Sequence, residues 1–406
     1  MKDNEASGKH VTLRVILFIL ALVVGIGAFG IGIYHIVNRE TGYYEIKATA
    51  DETAPLYAKG YTFYCYIDGK SDEIKSNMTK LGSLYSESLG RISRLLDAEQ
   101  TYDGYINLAT LNRRPNEDVV LPAELYEALA DALKRTEGTG FSICSGTLRA
   151  LWQELLYLEE PGEFDPAYNA DQAERMQAVK EALLAPDAVR LELSDEQTHS
   201  ARITVSDAYR AVLERCEIEA PFVDLDVLRD AYALRYVYRK LTENGVTKGY
   251  LKTERGLCIM LPETENGAVT IFGQIDGKPV HAAELSIGHG DACCVLRSFS
   301  LGEAGYYETD GILRHPWPGP EAEPNRQLLT AWSVSRTGDI VGATLNVLTL
   351  YAAPYDELRA LPASLATKQM SVALIAADAP QTILVDAQHE MEATPDGENG
   401  YTVTVP

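Results

Sequence analysis

The sequence predicts an α+β chain, with antiparallel sheets and packed helices preceded by one transmembrane helix. Three observations predict it: an uncharged apolar run near the start, short β-rich segments bounded by turn residues, and longer segments with apolar residues at helical spacing.

The apolar run, VILFILALVVGIGAFGIGIY at residues 15–34, carries no charge. As a helix it is long enough for a bilayer core of roughly 30 Å, and a single segment satisfies its own backbone in lipid only as a helix. Lys2, Lys9 and Arg14 precede it, which keeps the N-terminus in the cytoplasm. A cleaved signal peptide is the rival reading, but its apolar core usually spans about 7–15 residues and ends at a small-residue site. Tyr34-His35-Ile36-Val37 is no such site. A buried soluble helix would need a polar face, and none is marked. The expected division is a cytoplasmic N-terminus at 1–14, an anchor at 15–37, a linker at 38–58 and an extracytoplasmic domain at 59–406. The expected location is therefore the cell membrane, in single-pass form.

Residues 61–67 (YTFYCYI) read as a strand, and 81–96 as a helix with Leu81, Leu84, Leu89, Ile92 and Leu95 on one face. A loop covers 97–120, with turn residues at Asp103-Gly104 and Pro115-Asn116. Pro122 opens the next helix, where its missing N–H costs least; Leu125, Leu129 and Leu133 form its stripe and Gly138 stops it. Residues 139–152 are less regular. A helix follows at 170–184, strands at 189–193 and 201–205, and a helix at 224–241 that ends near Asn244-Gly245. Further strands are expected within 248–260, 269–275 and 292–299, then a loop at 311–324 rich in proline and glycine. A strand at 328–335, helices at 340–351 and 355–361, and a last core strand at 371–375 complete the order.

The formal charge is −23, from 59 acidic and 36 basic residues, and no basic cluster provides a nucleic-acid surface. The six cysteines specify neither a disulfide framework nor a zinc site, and Cys293-Cys294 in DACCVL read as buried thiols on a strand. Phosphate-loop, nucleophile-elbow and zinc-helix motifs are absent, and the seven histidines show no helical ligand spacing. Residue chemistry alone names no activity.

Four segments together resemble the FAD:protein FMN transferase family, over residues 61–386. They are INLATLN at 106–112 with the helix opening after it; GTGFSICSGTLRALW at 138–152; VDLDVLRDAYALRYVYRKL at 223–241; and WSVSRTGDIVGATLNVL at 332–348. In the second, Gly138, Phe141, Gly146, Leu148, Leu151 and Trp152 fit the family pattern. In the third, Asp224, Leu225, Leu228, Tyr232 and Ala233 fit I-D-L-G-G-I-A-K-G-Y-A. The resemblance implies a two-lobed flavin-transferase-like domain, with FAD as substrate and Mg²⁺ as cofactor. FMN would pass to a threonine of an acceptor protein of a membrane redox system. It further implies Asp339 and Thr344 as catalytic and metal-ligating residues, and Asp224, Tyr307, His315 and Ser142 as cofactor-binding residues.

The departures fall on the chemistry. The motif Asp is Ser142 and its Thr is Cys144; Lys-Gly becomes Asp230-Ala231; one Gly-Gly becomes Asp226-Val227 and the next Glu254-Arg255. The magnesium Asp aligns with Ile340, so Asp339 stands one residue early, and an N-cap is the competing role for it. Tyr307 stacks on flavin or packs in the core; His315 meets phosphate or is an exposed loop residue; Asp224 touches flavin or is structural. DIVGAT at 339–344 also loosely resembles the segment that accepts FMN. The alternative to transferase activity is a catalytically inactive binding or scaffold module on the same fold.

Overall fold

The computed structural model describes residues 41–48, 59–156, 158–194, 197–219, 221–298, 307–309, 312–314, 328–354, 356–389 and 392–405. In chain order the elements are β1 (Gly42–Ile46), β2 (Tyr61–Ile67), α1 (Ser71–Leu96), α2 (Leu108–Asn112), β3 (Val119–Val120), α3 (Ala123–Thr136), α4 (Gly146–Leu156) and α5 (Ala170–Leu183). Next come β4 (Val189–Leu193), β5 (Ser200–Val205), α6 (Asp207–Arg215), α7 (Val227–Glu243), β6 (Gly249–Thr253), β7 (Leu257–Met260), β8 (Gly267–Ile275), β9 (Lys278–Ile287) and β10 (Ala292–Arg297). The last are β11 (Tyr307–Thr309), β12 (Ile312–Arg314), β13 (Leu328–Ser335), α8 (Ile340–Ala352), α9 (Leu361–Leu365), β14 (Met370–Ala376), β15 (Thr382–Val385), β16 (Ala393–Pro395) and β17 (Thr402–Thr404).

A nine-stranded sheet in the order β1-β2-β6-β7-β10-β13-β14-β15-β17 organises the molecule. Its pairs are antiparallel except β15 with β17. Because side chains alternate faces along a strand, β10 divides its residues between two cores. Cys294 and Leu296 join the large cluster beneath the helices, which includes Leu228, Leu234, Val347 and Leu348. Cys293 and Val295 face the other way, into a second cluster with Trp332, Ile271, Leu285 and Ile287. The hairpin β8–β9, joined by β16, forms the three-stranded sheet that covers this second face.

The expected strands and most expected helices are present, with altered ends. Helix α1 begins ten residues earlier than its apolar stripe, at Ser71. There Glu73 Oε2 accepts the Lys70 N–H at 2.9 Å and satisfies a donor at the helix start. Helix α7 starts at Val227 and not at Asp224, because Asp224 and Asp226 form a turn in which Asp224 Oδ1 accepts the Asp226 N–H at 3.1 Å. The irregular 139–152 stretch resolves into a turn followed by α4. The expected 355–361 helix falls instead at Leu361–Leu365, where Pro362 fits the first turn. Helix α6, capped by Ser206, and strands β9, β11, β12, β15, β16 and β17 lie outside the sequence expectation; β1 pairs with β2 inside the segment expected as linker, and α2 and β3 fall inside the expected 97–120 loop.

The expected membrane location is corrected. Among the described residues no helix is long and apolar enough to cross a membrane. The anchor assigned at 15–37 lies outside the described residues, as does most of the 311–324 loop.

The β6–β7 turn depends on Gly256. Its φ is +91°, and a Cβ there would stand 1.9 Å from the Val295 carbonyl oxygen. Gly104 also has positive φ, +78°, but open space around it. Gly256→Ala should therefore cost at least ~2 kcal/mol, and Gly104→Ala about 1 kcal/mol. Urea unfolding of the two variants checks the ranking.

Candidate functional site

The site begins where α4 leaves its turn. The Gly146 N–H donates to Phe222 O at 3.2 Å, and a Cβ on Gly146 would lie 2.3 Å from Pro221 O, so only glycine lets the two segments approach. Asp224 N–H donates to Ile143 O at 2.9 Å, which ties the same segments one step further on. Into this junction α4 projects Arg149, a side chain only 1% exposed. Its Nη1 donates to Ser142 O at 2.9 Å, its Nε to Asp224 Oδ2 at 3.3 Å, and its Nη2 to the Asp224 carbonyl. The Phe141 ring lies 5.2 Å from the guanidinium carbon. Burial pushes the Asp224 carboxyl up, but Arg149 and Arg229 outweigh it and hold it below the ordinary carboxylate range.

Two residues on, Asp226 has φ +48° and ψ −126°, a backbone conformation suited to glycine. Its Oδ1 accepts from Arg255 Nη2 at 3.0 Å, and its Oδ2 is buried without a hydrogen-bond partner among the described residues. Asp230, in the first turn of α7, accepts from Tyr61 Oη at 2.9 Å. The Asp230 carboxylate also lies 3.8 Å from both Arg229 Nε and Arg255 Nη1. Arg255 reaches these acids from the tip of the β6–β7 hairpin. Burial disfavours its charge, and Asp230 and Asp226 overcome that cost and raise its pKa.

At the start of α8, Asp339 is the N-cap. Its Oδ1 accepts the Gly342 N–H at 3.1 Å and its Oδ2 accepts from Arg135 Nη1 at 2.8 Å. Arg135 also donates through Nε to Asp131 Oδ1 at 2.8 Å, and Arg235 Nη1 donates to Asp131 Oδ2 at 2.6 Å. Burial pushes Asp131 up, and Arg135 and Arg235 more than reverse it. Thr344 is fully buried, and its hydroxyl donates to Ile340 O at 2.8 Å within its own helix. Ser142 Oγ accepts the Cys144 N–H at 3.2 Å inside its own turn. Tyr307 lies on β11, whose backbone pairs with β12, and its side chain is outside the description, as is all of His315.

The fold brings Ser142 and Asp224 together through Arg149, and links Asp339 to α3 through Arg135. These residues do not fit a magnesium ion. Mg²⁺ takes oxygen ligands in near-octahedral order. Asp339 has one oxygen on a helix N–H and the other on a guanidinium, and Thr344 is committed to its own backbone. Among the described residues no group of three histidines, cysteines or acids is arranged to hold a metal. Nor do they fit a pyrophosphate: where the resemblance has glycines for close backbone approach, Asp226 and Arg255 occupy the space with a side-chain ion pair. Two clefts stand out among the described residues, the first apart from this site and the second adjoining it through Arg235. One of about 490 Å³ is lined by Glu174, Arg175, Arg215 and Cys216. The other, of about 150 Å³, is lined by Tyr236, Arg235, Arg239 and Glu127.

Sequence reasoning missed the arginines. Arg149 had a signal, a charge among Leu148, Leu151 and Trp152 on a helix. Arg255 had one too, a long cation in place of glycine in a hairpin tip.

Against known structures, the chain has the fold of the flavin transferases. The ApbE protein of Thermotoga maritima superposes with a TM-score of 0.61 at 14% identity, over 86% of this chain and 99% of that one. The apo flavinyl transferase ApbE of Pseudomonas stutzeri gives 0.53 at 13% identity, over 88% and 95%. The flavin transferase ApbE of Vibrio cholerae gives 0.52 at 11% identity, over 86% and 98%. No family profile and no curated relative matches the chain.

Arg149→Met strands a buried carboxylate and should lower stability by about 3–5 kcal/mol, read from the urea midpoint. Asp224 and Asp131 both have lowered pKa values in the folded state. Their contribution is therefore complete above the ordinary carboxylate value near ~4 and is lost as pH falls through the folded values. The wild-type urea midpoint should hold down to about pH 5 and drop steeply below about pH 4, and Arg149→Met should flatten that drop.

Proposed function

We propose that this chain is a non-transferring relative of the flavin transferases, a binding or scaffold module whose crevice is closed by its own side chains. The observation that carries this reading is the Arg255 guanidinium seated 3.0 Å from Asp226, at positions where the resemblance has glycines. Pyrophosphate cleavage requires cationic neutralisation of phosphate oxygens as charge shifts between them. Here Arg149, Arg229 and Arg255 are engaged with Asp224, Asp226 and Asp230, and Arg135 with Asp131 and Asp339. The arginines are thus engaged before any substrate arrives, and the acids have a countercharge without a metal.

The second reading is magnesium-dependent transfer of FMN from FAD to a threonine of an acceptor protein. The position of Asp339 at the start of α8, beside the Thr344 helix turn, favours it. In that reading Arg135 would have to leave Asp339 before a cation could bind. FAD would supply the FMN group and Mg²⁺ would neutralise its phosphates; the chain's own part would be to place the two.

Quenching of FAD fluorescence by the full chain, with and without Mg²⁺, separates the two readings. The expected result is no magnesium-dependent quenching at micromolar protein and no labelling of an acceptor peptide. Magnesium-dependent binding with turnover overturns the proposal. The double variant Arg255→Gly with Asp230→Lys, which restores the residues of the resemblance at both places, should gain FAD quenching relative to the wild type.

A further inference from the structure

The cysteines outside this site separate by strand geometry. β7 and β10 pair antiparallel with Cys258 directly opposite Cys293. Met260 N–H donates to Asp291 O at 2.8 Å and Val295 N–H to Gly256 O at 2.9 Å, two residues to either side. Hydrogen-bonded pairs alternate along such a ladder, so Cys258 and Cys293 occupy a hydrogen-bonded pair, with Cα atoms about 5.5 Å apart. A disulfide spans Cα separations of about 4.4–6.8 Å and Cβ separations of about 3.5–4.5 Å, so the bond draws the two Cβ atoms about 1 Å closer than a hydrogen-bonded ladder pair sets them. Directly opposed residues project from the same face of the sheet, and both cysteines pack in the cluster under the β8–β9 hairpin. The neighbouring Cys258 thiol, ahead of burial, pushes the Cys293 thiol well above its ordinary value.

The other cysteines are placed differently. Cys294 faces the helices, beside Thr344, and burial pushes its thiol up to about 12. Cys65 is buried in the same large cluster, with its thiol pushed up to about 11. Cys258 is half-buried, which gives a small reagent an approach to the pair that Cys293 alone lacks.

We propose that Cys258 and Cys293 form a reversible cross-strand disulfide by exchange with a low-molecular-weight disulfide such as oxidised glutathione. In the first step Cys258 loses its proton and its sulfur attacks one sulfur of the reagent. The reagent's S–S bond breaks, and the thiolate released takes up a proton. In the second, Cys293 loses its proton and attacks the Cys258 sulfur, expelling the second small thiol. Two protein thiols are oxidised, one disulfide is reduced to two thiols, and the protons balance. The new bond closes the chain between β7 and β10, a segment that contains the whole β8–β9 hairpin, and so fastens the base of the sheet covering the second core.

The test treats the full-length protein with oxidised glutathione in native buffer, quenches with acid and maps peptides by mass. The expected product is a 258–293 crosslink with the loss of two hydrogens, reversed by dithiothreitol, together with a rise of several degrees in Tm. Cys294→Ser should leave the crosslink intact, and Cys258→Ser and Cys293→Ser should each abolish it. Three results overturn the proposal: a glutathione adduct on Cys258 that never resolves, a crosslink that forms only in denaturant, or a crosslink to Cys294. The wild-type peptide map decides even where a serine variant folds poorly.

Discussion

A guanidinium at 1% exposure constrains everything around it, because arginine keeps its proton at every accessible pH. Arg149 must therefore have an ionised partner, and Asp224 supplies it while the Ser142, Ile143 and Asp224 carbonyls accept from its other nitrogens. The carbonyls come from the turn before α4 and the turn before α7. One buried cation thus sets the relative position of two helix starts that are far apart in sequence. The close approach at Gly146 and the Asp224–Ile143 hydrogen bond only have room in that arrangement.

The same logic repeats across the crevice. The acids that the resemblance would turn toward a cation or a phosphate group each meet an arginine from another element: α4, the β6–β7 hairpin or α3. Buried ion pairs are weak sources of stability, because desolvation of both partners offsets most of their attraction. Their effect is geometric. They give the interior of this fold a set of charges already paired with one another across elements.

Much of this fold was legible because the period of the apolar residues survives divergence. YTFYCYI alternates as a half-buried strand should, and β2 has that burial pattern. The helix at Ile340–Ala352 and the strands on either side of it follow from their apolar runs alone. What stayed hidden is polar and local. The first ten residues of α1 carry acids and lysines that mask Ile74, fully buried in the structure. Helix α6 is announced mainly by its Ser206 cap. In the site, the motif alignment located Asp224 and Asp339, but pairing across elements lies beyond a linear pattern. No spacing rule connects Arg135 with Asp339, or Arg255 with Asp226.

Asp226 carries a further consequence. It keeps the positive φ that glycine accommodates most easily, at a strain of about 1–3 kcal/mol, while its carboxylate grips Arg255. Returning glycine at Arg255 alone would leave Asp226 and Asp230 as adjacent buried anions. Returning it at Asp226 alone would leave Arg255 with the more distant Asp230. The two side chains are thus thermodynamically coupled: a double-mutant cycle over 226 and 255 would read less than the sum of the single losses, because each single change strands the charge that the other neutralised.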